Sequence, residues 1–298
     1  MRLKSKQGHP VDLRLWYNYF TFDLLGDFAF GESFDCMNSS TCHQWVDFVL
    51  DHFNMSTLLH VIHRFRPLQH VLAAMVRQRI EGATDRPDFI SPMLEANRNG
   101  LLSLDEVEQQ ASILILAGSE TTSLALTFTT ALLLQHPVIL NRLTEEIRAL
   151  FTSDTDITTS TINDLSYLQA TPEEGAMVAG HFIPKDTVVN VSQWSAYRSE
   201  TNFIRANEFI PERWLGDSEF TKDAKGAFQP FSVGPRACIC KKFAYDSMKL
   251  LVAHVLWNFN LTLEPASACS LSEWLDCPSY VSFHPAPLLV NMAARVTV

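Results

Sequence analysis

Residues 228–240 read FQPFSVGPRACIC, a segment that contains a glycine and a proline and passes directly into a long helical pattern. Gly234 permits a sharp backbone turn and the close approach of a flat ligand. A thiolate at Cys238 would lie at the positive end of the following helix, where unsatisfied N–H groups lower the pKa of a thiol. Arg236 supplies a cation that can bind a carboxylate. The segment therefore predicts a reactive or metal-ligating cysteine.

Two other interpretations of this cysteine pair remain open from the residues alone. The apolar neighbours of Cys238 and Cys240 are also typical of cysteines that are simply buried in a core. A zinc site is the second alternative, but only one residue separates the two cysteines. No nearby histidine or second cysteine pair completes a set of four ligands.

Residues 111–134, ASILILAGSETTSLALTFTTALLL, form the most apolar stretch of the chain, and their only charge is Glu120. The stretch is long enough to span a membrane. Its serines and threonines would need partners in lipid, however, and basic flanking residues that would set a topology are lacking. The pattern favours a buried helix at the centre of the protein.

Local signals set the predicted limits of this central helix at about residues 103–136. Ser103 and Glu106 have the S-x-x-E spacing of a capping box, which marks the start of a helix. Pro137 is suited to the first position of the next helix, because that position needs no N–H donor.

The segment AGSETT, residues 117–122, lies in the middle of the central helix. The carboxylate of Glu120, next to the hydroxyl of Thr121, is costly in an apolar helix unless it is hydrogen-bonded or used in chemistry. Gly118 is a position where the backbone can open or a ligand can approach closely. A hydrogen-bonded core feature and a functional site both fit this pattern.

The composition is that of a globular protein. The chain has 298 residues, of which 47% are hydrophobic, and a formal net charge of −10, which excludes a disordered chain and a basic nucleic-acid binder. Its six cysteines are too dispersed for a disulfide scaffold, which predicts a reducing compartment. The first residues are basic without a following apolar stretch, so we expect no signal peptide or membrane anchor there.

Helical patterns outnumber strand patterns, so the predicted class is mainly α with a small β portion. Aromatic-rich helical runs occupy residues 16–30, 45–53 and 63–80, and a second long helix covers about 239–259. Residues 176–194 alternate β-branched and turn residues, as is typical of two or three short strands. No repeat or low-complexity linker divides the chain, so we expect residues 1–298 to form a single domain.

Phe231 to Cys238 match the F-x-x-G-x-R-x-C signature of the cytochrome P-450 haem-thiolate monooxygenases, and the AGSETT segment resembles that family's central-helix motif. FIPERW, residues 209–214, resembles the family's P-E-R-F segment, and residues 183–198 resemble its strand pair and following helix. Residues 16–34 resemble a helix of the fungal branch. The resemblance implies an incomplete cytochrome P-450 fold, represented by its C-terminal two-thirds.

The resemblance implies a role for each residue of the cysteine loop. Cys238 is the metal ligand, an axial thiolate on the iron of heme b that directs electron density towards O–O cleavage. Arg236 pairs with a haem propionate, and Phe231 packs near the ring. Gly234 belongs to the same cofactor-binding loop.

The resemblance also implies the reaction. Glu120 and Thr121 are the catalytic acid–alcohol pair that relays protons to dioxygen, and Gly118 leaves room for it. One oxygen atom enters a small apolar organic substrate, with electrons from NADPH-cytochrome P-450 reductase. The fungal likeness implies secondary metabolism or xenobiotic oxidation. Full-length members of the family reside at the endoplasmic reticulum membrane, whereas we expect this chain, without an anchor, in the cytoplasm and without a nucleic-acid partner.

The chain departs from the family pattern between Ala170 and Thr171. NDLSYLQA, residues 163–170, resembles the start of the family's E-x-x-R helix but runs directly into sequence that belongs after that helix. The E-x-x-R pair and the following propionate-binding arginine are therefore predicted to be absent. Glu145 and Arg148 have the same spacing, but their place after the central helix predicts a solvated surface pair instead.

Three further expectations follow from these departures. Arg213, without its usual partners, turns to solvent or takes another partner, because a buried unpaired arginine is costly. Cys240 stands where the family usually has glycine and is expected to crowd the haem or compete as a ligand. The alternative is that the chain is a truncated, catalytically inactive relative or an incomplete gene product. A third, weaker hypothesis is that exposed apolar surface serves protein interaction.

Overall fold

The computed structural model describes residues 9–39, 66–81, 88–151, 176–178, 181–183, 191–234, 237–265, 277 and 283–295. The helix predicted at residues 45–53 and the side chain of Arg236 lie outside these residues. The chain divides into two compact units, one of Met1–Thr161 with Ser247–Val298 and the other of Ile162–Asp246. The single domain over residues 1–298 stays a prediction.

The described residues form eight α-helices, in agreement with the predicted mainly α class. These are α1 (Leu13–Phe30), α2 (Cys36–Ser39), α3 (Arg66–Glu81), α4 (Ser91–Arg98), α5 (Leu104–Gln135), α6 (Pro137–Leu150), α7 (Gln193–Tyr197) and α8 (Lys241–Asn258). Three short 3₁₀-helices, Pro211–Trp214, Ser218–Phe220 and Lys225–Ala227, belong to the second unit.

The β portion is small, as predicted, and both of its sheets are antiparallel. The strands are β1 (Val11–Asp12), β2 (Ala176–Val178), β3 (His181–Ile183), β4 (Phe259–Leu263) and β5 (Leu289–Ala294). In the first unit the order is β1-β5-β4, with Val11 opposite Val290 and Phe259 opposite Ala294. In the second unit β2 pairs with β3. The strand pattern predicted up to residue 194 is wrong at its end, because the Ser192 hydroxyl caps α7.

Both limits of the central helix α5 are confirmed to within one residue. The Ser103 hydroxyl accepts a hydrogen bond from the Glu106 N–H at 3.2 Å, and the Glu106 carboxylate accepts one from the Ser103 N–H at 2.8 Å. This is the predicted capping box, which satisfies two N–H groups that the helix itself leaves without partners. Pro137 begins α6, also as predicted.

Helix α5 is long and apolar enough to cross a membrane, with a mean hydropathy of 1.3 over an 18-residue window, yet it packs along α1 within the first unit. Its buried hydroxyl groups bond to their own helix: Ser119 donates to the Ile115 carbonyl at 2.6 Å, and Thr127 donates to the Ser123 carbonyl at 2.8 Å. Because these hydroxyl groups form hydrogen bonds within their own helix, the neighbouring helices need not supply polar partners for them. The predicted helix is therefore present and is buried along one face, whereas Ile113, Ala117 and Thr121 are exposed.

Candidate functional site

Residues 228–234 and 237–240 belong to a loop that ends just before α8 and is closed by two hydrogen bonds. The Cys238 N–H donates to the Phe231 carbonyl at 2.8 Å, and the Ala237 N–H donates to the Gly234 carbonyl at 2.9 Å. Gly234 has a φ of 78° and Ser232 a φ of 59°, both in the left-handed region. The sharp turn predicted at Gly234 is therefore confirmed. Ser232 adopts a conformation that a side chain disfavours.

The Cys238 side chain is exposed and makes no disulfide. Helix α8 begins at Lys241, two residues later than predicted, because residues 238–241 form a turn in which the Lys241 N–H donates to the Cys238 carbonyl at 3.4 Å. The interpretation of Cys238 as a buried core cysteine is wrong. An exposed thiol at the end of a closed loop is available to a ligand or a metal ion.

Aromatic rings support both ends of this loop. Phe231 packs on Tyr245 of α8, with 4.9 Å between the ring centroids. At the start of the loop, Phe228 packs between Tyr197 of α7, at 4.7 Å, and Trp214, at 4.9 Å. The prediction that Phe231 packs near a haem ring stays a prediction. The structure adds that its ring already has a partner in the protein.

Helix α7 also holds the loop through hydrogen bonds to one residue. The Tyr197 hydroxyl accepts from the Gln229 N–H at 3.0 Å, and the Gln193 side chain donates to the Gln229 carbonyl at 3.0 Å. Sequence reasoning did not identify Gln193, Tyr197 or Tyr245. Their contacts with the loop depend on side chains that are distant in sequence, as for Tyr197 and Gln229.

Cys240 is half-buried and lies next to the exposed thiol. Burial raises the pKa of the Cys240 thiol, and the nearby Cys238 raises it further. Both effects disfavour the thiolate of Cys240, which is the form that binds a metal ion. The two cysteines also differ in exposure, since Cys238 is exposed and Cys240 is half-buried.

Glu120 and Thr121 are neighbours on α5 but have different surroundings. Glu120 is only 7% exposed, whereas Thr121 is exposed and donates its hydroxyl hydrogen to the Ala117 carbonyl at 2.5 Å. Successive residues of an α-helix point about 100° apart, so the two side chains diverge. Thr121 shares an exposed stripe with Ala117 and Ile113, which is 63% exposed. This stripe is an open, mostly apolar face in the middle of the central helix.

Gly118 lies against a neighbouring helix. A Cβ atom at this position would lie 2.9 Å from Cδ1 and 3.2 Å from Cδ2 of Leu25 on α1. The absent side chain therefore allows α1 and α5 to pack closely here. The expectation that Gly118 leaves room for dioxygen stays a prediction.

Arg213 takes another partner, which is one of the two outcomes predicted for it. It is 5% exposed and forms an ion pair with Asp223, whose side chain is fully buried. Burial acts to raise the pKa of Asp223, but hydrogen bonds from the Ile204 N–H and from Arg213 outweigh it and hold that pKa below its usual value. Sequence reasoning missed Asp223.

Arg148 does not form the surface pair predicted with Glu145. Its guanidinium donates to the carbonyl of Leu256, in the last turn of α8, at 3.0 Å and to that of Phe259, the first residue of β4, at 2.9 Å. A cation at the C-terminus of a helix satisfies carbonyls that have no partner within the helix. The role of Arg148 is therefore structural.

The cysteine loop fits a haem group, because Cys238 offers an exposed soft ligand and Phe231 lies on the same loop. Within the described part of the chain, no group of three or more His, Cys, Asp or Glu side chains is arranged to hold a metal ion, as a zinc site would need.

Comparisons with known proteins agree with this fit. The cytochrome P-450 family model matches residues 1–175 and 172–287. The chain is 50% identical to the cytochrome P-450 monooxygenase astD of Aspergillus oryzae, over 97% of this chain and 63% of that protein. It is 33% identical to the trichothecene C-15 hydroxylase of Fusarium sporotrichioides, over 96% and 66% of the two chains. It is 34% identical to the averantin hydroxylase of Dothistroma septosporum, over 99% and 63%.

The chain therefore spans between 63% and 66% of the length of these relatives. The comparison also supports the predicted internal break. The alignment with the Aspergillus oryzae protein extends over 326 positions against 298 residues in this chain, so at least 28 positions have no counterpart here. The two matched segments meet at residues 172–175, next to the junction of Ala170 and Thr171.

Proposed function

The chain belongs to the cytochrome P-450 family, and we propose that it forms the haem-thiolate part of a monooxygenase that oxidises a small apolar compound of fungal secondary metabolism. The observation that carries this proposal is the exposed Cys238 thiol at the end of a loop closed by the Cys238–Phe231 hydrogen bond. Two relatives with at least 33% identity are named as hydroxylases, which favours hydroxylation as the type of reaction.

The chain's own residues would divide the work between ligation and handling of the substrate. Cys238 would hold the iron of heme b, and Arg236 would pair with a propionate. When bound, haem supplies the activation of dioxygen from which one oxygen atom enters the substrate. The exposed stripe of Ile113, Ala117 and Thr121 would exclude water from an apolar substrate. The Thr121 hydroxyl, which donates to its own helix, would accept and pass on protons.

The exposure of Cys238, compared with the half-buried Cys240, supports Cys238 as the ligand of the two cysteines. Electrons would come from a redox partner, for which we propose NADPH-cytochrome P-450 reductase.

Because of its family, we propose that the whole protein resides at the endoplasmic reticulum membrane. The expectation of a cytoplasmic location for this chain stays a prediction.

The carbon monoxide difference spectrum tests this proposal. The purified chain is supplied with heme b, reduced with dithionite and exposed to carbon monoxide, alongside Cys238→Ala and the matched control Cys240→Ala. We expect a thiolate-type Soret band in the wild type and in Cys240→Ala, and its loss in Cys238→Ala. A chain that takes up no haem would instead identify an inactive relative, and a band that survives in Cys238→Ala would refute Cys238 as the ligand.

Turnover is the second stage of the same test. Reductase and NADPH are added to the haem-loaded chain with a panel of apolar aromatic and terpenoid compounds, and substrate-dependent NADPH consumption is measured. We expect consumption above the background of Cys238→Ala. Haem uptake with a thiolate band but no turnover would support binding without catalysis.

A further inference from the structure

The second unit contains a buried ion pair that the proposed function does not use. Arg213 and Asp223 have side-chain exposures of 6% and 0%, whereas the other acidic side chains of this segment in ion pairs, Glu208 and Glu219, are 56% and 51% exposed and bind Arg205. A buried pair is retained only when its hydrogen bonds are nearly complete, because removing both charges from water is costly.

The hydrogen bonds of this pair are nearly complete. Arg213 also donates to the carbonyls of Ile204 at 2.6 Å and Arg205 at 3.2 Å, and its guanidinium carbon lies 4.6 Å from the centre of the Phe220 ring. The second carboxylate oxygen of Asp223 accepts from the Ile204 N–H at 2.8 Å. Both charged groups thus hold the backbone at residues 204–205.

These contacts close residues 202–224 into a ring. Its two ends are joined by a further bond from the Ala224 N–H to the Asn202 carbonyl, at 2.7 Å. Arg213 lies near the middle of this ring of residues and Asp223 lies near its end. Their ion pair therefore holds these two parts of the ring together. Inside it, the Phe203 and Phe220 rings are buried.

The closed ring continues directly into the loop that carries Cys238. Trp214, the neighbour of Arg213, packs on Phe228 with 4.9 Å between ring centroids. Phe228 precedes Gln229, whose N–H is held by the Tyr197 hydroxyl at 3.0 Å. The position of the loop entrance therefore depends on the position of Trp214.

We propose that Asp223 is a positioning residue for the Cys238 loop: by holding Arg213 it fixes the 202–224 ring, and through Trp214 and Phe228 it fixes the entrance of the loop. Asp223 does this without a carboxylate from the absent E-x-x-R segment. The thiolate ligation part of this inference rests on the proposed function. The positioning part concerns the protein alone.

Amide hydrogen exchange of the haem-free chain tests the positioning. Asp223→Asn is compared with the wild type and with Glu219→Gln, which removes an exposed carboxylate from the same ring. Loss of one partner of a buried pair favours local opening strongly, so we expect exchange at Ile204 and Ala224 to accelerate at least about tenfold in Asp223→Asn. We also expect faster exchange at the Gln229 and Cys238 amides of Asp223→Asn. In Glu219→Gln we expect the exchange rates of the wild type.

Two results would overturn the inference. One is acceleration confined to residues 202–224, with Gln229 and Cys238 unchanged, because the pair would then stabilise only its own ring. The other is equal acceleration in α5 of the first unit, because Asp223 would then support the whole fold. A variant that does not fold falls under this second result.

The haem-loaded chain gives an independent readout. We expect Asp223→Asn to bind haem but to lose thiolate-type Soret intensity relative to Glu219→Gln. Full thiolate intensity in Asp223→Asn would refute positioning of the ligand. A wild type without any thiolate band would contradict the proposed function instead, and the exchange rates at Gln229 and Cys238 would still decide the positioning role.

Discussion

The replacement Gly118→Ala separates helix packing from the making of space for a small ligand. The added Cβ would lie 2.9 Å from Leu25 Cδ1, and Leu25 is only 3% exposed, so its side chain has little room to move. Overpacking of this kind lowers the free energy of unfolding by about 1–3 kcal/mol. Alanine is favoured over glycine within a helix by about 1 kcal/mol. We expect a net loss of about 1 kcal/mol.

Shortening the neighbouring side chain should reverse the sign of this effect. Leu25→Ala alone lowers stability by about 2–5 kcal/mol because it leaves a cavity. In that background Gly118→Ala no longer clashes, so its helix propensity raises stability by about 1 kcal/mol. The two substitutions are therefore coupled by about 2 kcal/mol, well above the error of additivity. Urea denaturation of the four haem-free chains, followed by circular dichroism, measures this coupling.

The matched control is Ala117→Gly, one residue earlier on the exposed stripe. It should lower stability by about 1 kcal/mol in both backgrounds, since it changes only helix propensity. If Gly118 served to leave room for a ligand, Gly118→Ala would stabilise the haem-free chain whether or not Leu25 was shortened. Additive effects of the two substitutions would refute the packing argument.

Three further changes probe contacts elsewhere in the first unit. Ser103→Ala removes the capping hydroxyl and should lower the free energy of unfolding by about 1 kcal/mol in urea, with no effect on haem uptake. Tyr17→Phe removes the 2.7 Å hydrogen bond to Thr130 and should cost about 1 kcal/mol at pH 8. Because burial raises the pKa of Tyr17 to about 12, ionisation of this tyrosine in the unfolded chain destabilises the wild type as pH rises from about 10 towards 12. The advantage of the wild type over Tyr17→Phe should therefore vanish in this range and then reverse. Asp88→Asn breaks the buried pair with Arg79 and should cost about 3 kcal/mol at pH 7. Burial acts to raise the pKa of Asp88, but hydrogen bonds from Ser91 and Arg79 outweigh it and lower that pKa. The difference in stability between the wild type and Asp88→Asn should therefore shrink as pH falls below about 4. A difference that persists there would contradict a stabilising role of the Asp88 carboxylate.

Features set by neighbouring residues were predictable from the sequence. The start of α5 depends on Ser103 and Glu106, three positions apart, and Pro137 determines where α6 begins. Gly234 likewise carries its own reason for a sharp turn, since a positive φ suits a residue without a side chain. In each case the physical cause lies within a few residues of its effect.

Features that depend on a distant partner were not predictable. Gly118 has the same local sequence whether its free side faces a ligand or Leu25, and only the packing of α1 on α5 decides between them. Tyr197 contacts Gln229 across 32 positions of the chain. Helix propensity and hydrophobic periodicity carry no information about such pairings.

Arg213 shows where physical reasoning from sequence ends. Because burying an unpaired guanidinium is costly, we expected Arg213 to be exposed or to have a new partner, and it has a new partner. This argument could not identify Asp223 as that partner, because Asp217 and Glu219 are also acidic and lie closer to Arg213 in sequence. The choice follows from the turn at residues 218–223, which buries the Asp223 carboxylate against the Ile204 N–H and leaves Glu219 in solvent. The segment missing after Ala170 is therefore not needed to neutralise Arg213, and this part of the second unit can keep its structure without it.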